Sequence, residues 1–107
     1  MKIDRIGEVF ATRTLTLLRD QESPMEIVVL LGKPQHLPDH PDYYCPYQIK
    51  GADIERFWYS CGVDGFQALQ LALSTLAVEL DVLNKELGGK LRWDCDDKGD
   101  LGFSTMP

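Results

Sequence analysis

Between residues 63 and 87 the apolar positions Phe66, Leu69, Leu73, Leu76, Leu80, Leu83 and Leu87 recur alternately three and four residues apart. That spacing predicts one long helix carrying a continuous apolar stripe. Asp64 stands at its N-cap, Gln67 is placed to reach back to the Asp64 backbone N–H, and Val63 to staple onto Ala68. Gly88-Gly89 supplies the left-handed residue that closes a helix, with Lys85 near the negative end of the dipole. At ~1.5 Å per residue the rod is roughly 35 Å long. A second apolar set, Ala68, Leu71, Thr75, Val78 and Val82, lies well round the cylinder, with a polar strip of Gln67, Gln70, Ser74, Asp81 and Lys85 between. A helix on one sheet needs one apolar face. Two faces predict a cover: the terminal segments of the chain folded over the second, or another protein surface.

Upstream the period changes to two. Residues 8–19 (EVFATRTLTLLR) predict a strand with Val9, Ala11, Leu15 and Leu17 on one face, interrupted by Arg13, and Phe10, Thr12, Thr14, Thr16 and Leu18 on the other. After a turn at residues 20–24, residues 25–33 (MEIVVLLGK) predict a second strand, whose unbroken apolar run implies cover on both faces. Residues 34–42 carry three prolines and predict a loop rather than helix or strand interior. Residues 43–50 and 54–61 predict a hairpin about Gly51-Ala52-Asp53, with Pro46 marking an edge or a bulge. In its second arm Phe57, Tyr59 and Cys61 point one way, and Ile54, Trp58 and Ser60 the other. Residues 91–93 predict a short C-terminal strand or anchor. The expectation is one α+β domain over residues 1–107: an antiparallel sheet of about four strands packed against one long helix.

Composition narrows the function classes. Hydrophobic content of 44% and charged content of 26% are those of a globular chain. A net charge of −6 opposes nonspecific nucleic-acid binding and an anionic membrane surface, and permits a basic protein partner. The N-terminus lacks the apolar core of a signal peptide, and no apolar run reads as long enough to span a bilayer. Cys45, Cys61 and Cys95 are far apart and contain no C-x-x-C pair, as expected of reduced thiols in a cytoplasmic protein.

Candidate chemistry is sparse. His36 and His40 lie in the proline loop beside Asp39, Asp42 and Cys45, but an H-x-x-x-H spacing faces one metal only on a helix, which the prolines forbid. Solvated histidines and no bound metal are expected there. Asp94, Asp96 and Gly99 resemble the opening of an EF-hand loop, yet Lys98 occupies a ligand position and Thr105 stands where the bidentate Glu belongs. A solvated acidic turn between a docked Trp93 and a docked Phe103 is the expectation. Tyr43, Tyr44, Tyr47, Phe57, Trp58 and Tyr59 gather most of the aromatic residues on one hairpin, as the large-residue part of a small core or as an interface.

Four stretches carry a family resemblance: C-P-Y-x-I (Cys45, Pro46, Tyr47, Ile49), G-V-D-x-x-Q-A-L-Q-L-A-L (residues 62–73), L-R-W (residues 91–93) and L-G-F (residues 101–103). With them the chain resembles a family of small bacterial proteins built on a domain of unknown function, over roughly residues 25–103. The resemblance implies a bacterial cytoplasmic protein of four or so strands and one helix, and implies no activity. The sequence holds no G-x-S-x-G, P-loop, dinucleotide fingerprint or metal cluster, so no catalytic residues and no cofactor are expected. The expected function is a non-enzymatic protein-interaction module of immunity or inhibitor type. Its expected partner surface is Leu71, Val78, Val82 and Trp58 together with Asp94, Asp96, Asp97 and Asp100. The partner is a basic protein or a second copy of this chain; the alternatives are a self-associating structural homodimer and a small-ligand domain centred on the histidine loop.

Overall fold

A computed structural model of the chain describes residues 3–94 and 100–103. It is an α+β architecture of six antiparallel strands and one helix: β1 Val9–Leu17, β2 Met25–Gly32, β3 Gln35–His36, β4 Tyr43–Gly51, β5 Ile54–Gly62, α1 Gly65–Glu86 and β6 Leu91–Arg92. β1 and β2 form a hairpin, and β6 pairs with β1 through Thr16 and Leu17. β4 pairs along its whole length with β5. Its other side is shared, residues 47–50 lying against β2 and residues 43–44 against β3. The sheet therefore runs β5-β4-β2-β1-β6, with β3 continuing the row of β2.

The count exceeds the expected four strands at two places. β6 is the shorter C-terminal option realised as a strand. β3 falls inside the proline loop: Gln35 and His36 lie between Pro34 and Pro38, and their backbone is free to pair with Tyr44 and Tyr43. The His36 ring then lies over Tyr43 with ring centres 3.9 Å apart. Pro46 corrects another expectation, because it occupies neither an edge strand nor a bulge. It sits in central β4 at the gap between the β2 pairing and the β3 pairing, where no ladder asks for its missing N–H.

The helix covers one face of the sheet and lies mainly over β5 and β4. Leu15, Leu17, Ile27, Val29, Leu31, Cys45, Tyr47 and Ile49 meet Ala68, Ala72, Leu76, Leu80 and Leu83 in one core. The buried face is turned from the predicted stripe: Ala68 is fully buried and Phe66 is 79% exposed. Small residues cause the turn. A Cβ on Gly62 would stand 2.5 Å from the Ala68 backbone nitrogen, so strand and helix backbones touch there, and the fully buried alanines at residues 68 and 72 face the sheet beyond that contact. The cap also shifts by one donor. Asp64 accepts the Gln67 N–H at 2.8 Å as expected, but the Gln67 side chain accepts from Val63 N, not Asp64 N, and Val63 stays exposed rather than stapling. Gly88 and Gly89, both at φ 75°, close the helix as predicted.

The expectation that no segment reaches bilayer length is also corrected: the 22-residue α1 is long and apolar enough by length and composition. Part of its apolarity has a local explanation, since Ala68, Ala72, Leu76, Leu80 and Leu83 join the core with the sheet and Ala77 is buried beside Leu101 and Phe103. Nor do the terminal segments fold over the helix's second face among the described residues. Chain near Ile6 crosses the opposite face of the sheet, its carbonyl 2.6 Å from where a Cβ on Gly32 would stand. Leu101 and Phe103 lie along the β1 side of the helix, with Ala77, Leu80, Asp81 and Asn84. On the outer face of β2, expected to be covered, Leu30 is 9% exposed between its register partners Thr12 and Gln48.

Candidate functional site

Two side-chain bridges tie β5 to the helix. Ser60 Oγ lies 3.4 Å from Thr75 Oγ1, and Arg56 Nη2 donates to Glu86 Oε2 at 2.7 Å. Strand alternation starts Trp58 on the same face as Ser60 and Arg56, midway between the bridges, and its ring turns across the strand edge to stack on Tyr59 with ring centres 5.2 Å apart. Trp58 is 56% exposed, and on the helix flank beside it Leu71, Val78 and Val82 are 42%, 50% and 46% exposed. Leu71, Thr75, Val78 and Val82 are spaced four, three and four, which aligns them in one row along the cylinder. β5 is moreover a nine-residue edge, paired only with β4 among the described residues. The result is an apolar flank made of an edge strand and a helix row.

The acidic half of the expected surface lies elsewhere. Asp100 borders the cleft with Asp81, Asn84 and Leu101, on the β1 side of the helix, and accepts the Gly102 N–H at 2.8 Å to shape its own turn. Asp94 is exposed with φ 52°, beyond β6 at the far edge of the sheet. Asp96 and Asp97 lie outside the described residues, as does Cys95. The structure thus brings together Leu71, Val78, Val82 and Trp58, and separates them from Asp100 by the helix and from Asp94 by the width of the sheet.

Arg13, which interrupted the apolar face of β1, anchors that far side. Its guanidinium lies 4.1 Å from the Trp93 ring centre and 4.4 Å from that of Phe103, and donates to the Leu101 carbonyl at 3.3 Å. A cleft of about 200 Å³ opens between Arg13, Val29, Leu31, Leu73, Leu76 and Phe103. Near the histidine loop, a shallower depression of about 330 Å³ is lined by Pro34, Tyr43, Gly65, Phe66 and Leu69, with no charged side chain to orient a ligand. In the loop itself His40 Nδ1 accepts the Asp42 N–H at 3.0 Å, and His36 Nδ1 is 3.2 Å from the Pro41 carbonyl. Among the described residues no three His, Cys, Asp or Glu side chains gather as metal ligands.

The perturbed titrating groups are held neutral. Burial pushes the Cys45 thiol up from 9.0 to about 11, and its Sγ is 3.4 Å from the Gly32 carbonyl. Burial raises the Tyr47 phenol above its ordinary 10.0, helped by its hydrogen bond to the Glu79 carboxylate and by that charge; burial also raises Tyr44. An activated nucleophile needs the opposite shift. A pH dependence follows. The folded chain holds the Cys45 and Tyr47 protons more tightly than the unfolded chain, so their stabilisation is complete below pH 9 and is lost as pH rises toward 11. The Cys45 shift alone corresponds to about 2–3 kcal/mol. Denaturant titrations at pH 8 and pH 11 should show that loss, with Tyr47→Phe removing the part that sets in above pH 10. A midpoint that stays flat between them rejects the account.

Sequence reasoning found the helix row and the side of Trp58, and missed the bridges that register them. Ser60, Thr75, Arg56 and Glu86 gave no signal beyond polarity at helix-facing positions. Likewise nothing local paired Tyr47 with Glu79, 32 residues away.

Fold and flank define a sheet-and-helix protein with an exposed apolar flank along β5 and α1 and its shifted groups kept neutral. The chain belongs to the family described as a domain of unknown function (DUF6968), whose match spans residues 11–105. No curated protein and no solved structure matches it.

Proposed function

We propose that this chain is a non-catalytic protein-interaction domain of a bacterial cytoplasm, docking its partner on the flank formed by β5 and α1. The observation that carries the reading is the partial exposure of Leu71, Val78 and Val82 in one helix row, with Trp58 beside it on a strand edge that is unpaired among the described residues. Isolated exposed apolar residues are ordinary; a contiguous set rimmed by polar groups marks an interaction site. Here the rim is the Arg56–Glu86 pair at one end and Ser60 with Thr75 inside it. The narrower form, an immunity or inhibitor protein taking a basic target, draws on the net charge of −6. Asp94 stands at the other edge of the sheet and Asp100 on the opposite side of the helix, so the apolar flank, not the acidic segment, carries the proposal.

The test compares the wild-type chain with Leu71→Ser/Val78→Ser/Val82→Ser in lysate of its source, by cross-linking and mass analysis of every adduct, including the chain with itself. These positions are exposed, so the variant keeps its fold and its circular dichroism. A defined protein adduct formed by wild type and lost from the variant is the expected result. Identical adducts from both proteins, or no adduct from either, overturn the reading. Asp94→Asn/Asp100→Asn is expected to leave the adduct in place.

A further inference from the structure

Resting on that reading, we propose that the occupant of the flank is a second copy of this chain, joined by antiparallel β5–β5 pairing centred on Trp58 with the two α1 helices side by side above it. The turn between β4 and β5 is the two residues Ala52 and Asp53, at φ 51° and 66°, which makes Gly51 and Ile54 a hydrogen-bonded pair. Counting along β5, Arg56, Trp58 and Ser60 direct their N–H and C=O at β4, while Glu55, Phe57, Tyr59 and Cys61 direct theirs outward. Pro46 agrees with the count: it stands opposite Tyr59, at a position the β4–β5 ladder does not use.

A two-fold axis through Trp58 gives that free edge a self-complementary register. Phe57 lies opposite Tyr59 of the second copy and Glu55 opposite Cys61, both as hydrogen-bonded pairs. Arg56 lies opposite Ser60 and Trp58 opposite itself, their Cβ atoms on the helix side; in the single chain the Trp58 ring stacks on Tyr59 with centres 5.2 Å apart, and pairing turns it back beneath the helices. No like charges face one another, and the charges of Glu55 and Arg56 cancel within the edge of a chain whose net charge is −6. Such neutrality is what self-association of an acidic protein requires. At the other side of the sheet β6 pairs only with Thr16 and Leu17, and along the rest of β1 Arg13 holds Leu101 and Phe103 against the strand, so that edge is the more obstructed one. Natural edge strands are shortened, charged or broken by proline; residues 57–61 (FWYSC) have none of these protections.

The helices fit the same axis. Ser60 meets Thr75 and Arg56 meets Glu86, so α1 runs antiparallel to β5 and Trp58 lies level with the stretch between Val78 and Val82. The axis therefore sets Val78 beside Val82 of the second copy, twice, above the paired tryptophans. Because α1 lies mainly over β5 and less over β4, a strand spacing of about 4.8 Å between the copies places the helix axes about 10 Å apart, the ordinary helix-packing distance. The four-three-four row of Leu71, Thr75, Val78 and Val82 is the pattern such an antiparallel seam uses. Trp58, Leu71, Val78 and Val82 bring on the order of 300 Å² of apolar surface per copy, and Phe57, Tyr59 and Thr75 extend it toward the low end of specific dimers.

The experiment uses the purified full chain alone. Sedimentation equilibrium at tens of micromolar should give twice the 12.1 kDa chain mass, and Val78→Arg/Val82→Arg should give a folded species of half that mass. In a Cys61→Ser/Cys95→Ser background, Trp58→Cys should close a disulfide between copies on mild oxidation, because a non-hydrogen-bonded pair holds its Cα atoms about 4.5 Å apart. Phe57→Cys in the same background should not. A wild-type monomer at every concentration overturns self-pairing while leaving the lysate comparison to decide the interaction reading. A dimer that survives Val78→Arg/Val82→Arg, or that links through Phe57→Cys rather than Trp58→Cys, overturns the proposed surface or register.

Discussion

Alanine at Gly51 should lower the unfolding free energy by about 3–5 kcal/mol, among the largest losses available to a single methyl group in this chain. Two costs act at once. Gly51 has φ 132°, a backbone conformation closed to residues with a Cβ. The added carbon would also stand 2.3 Å from the Glu26 carbonyl oxygen and 3.1 Å from Ile27 Cα. Those are backbone atoms at the start of β2, so no side chain can swing away. Either the β4–β5 turn or the β2 register must move, and β2 carries Ile27, Val29 and Leu31 into the core. Gly88→Ala is the control. It shares the strained backbone at φ 75° but meets nothing within 4 Å, so its cost should stay near 1 kcal/mol. Urea unfolding of the two variants side by side decides the matter. Equal losses would mean that backbone strain alone is at work and that the close approach of β4 to β2 is unimportant.

The contrast shows which features the sequence could reveal. Periodicity exposed α1 and the four long strands, because burial of one face repeats locally every two residues or every three to four. Gly51 was legible as a turn residue but not as the point where β4 meets β2, since strand neighbours are chosen across long loops. Pro46 misled for the same reason: its missing N–H was visible, and the change of partner from β2 to β3 that makes it harmless was not. Arg13 read as a flaw in an apolar face until Trp93 and Phe103, distant in the chain, closed over it.

The candidate site was half legible. Leu71, Val78 and Val82 announced a second helix face, and alternation grouped Trp58 with Ile54 and Ser60 on one face of its strand, without telling which face meets the helix. Their separation from Asp94 depends on sheet order, with β5 at one edge and β6 at the other, and that from Asp100 on which side of α1 the C-terminal segment packs. Nor could hydrophobicity alone distinguish Ala68 from Leu71. Close approach at Gly62 turned the first inward and left the second out.

That rotation sets the second large effect. Leu80→Ala should cost about 2–5 kcal/mol, whereas Val82→Ala, two residues on, should cost well under half as much. Leu80 is 1% exposed within the layer between α1 and the sheet, where the truncated side chain leaves a cavity that the β4 and β1 side chains cannot refill without breaking their ladders. Val82 faces solvent on the β5 flank, so its loss removes little buried area from a lone chain. In a paired assembly the order shifts, because Val82 then lies in the contact. Measured at low concentration, where copies separate, Val82→Ala should match wild type closely; at high concentration its stability should fall behind wild type while the Leu80→Ala deficit stays constant. A Val82→Ala deficit that does not change with concentration would place Val82 in the fold of the single chain, and the helix face described above would be wrong.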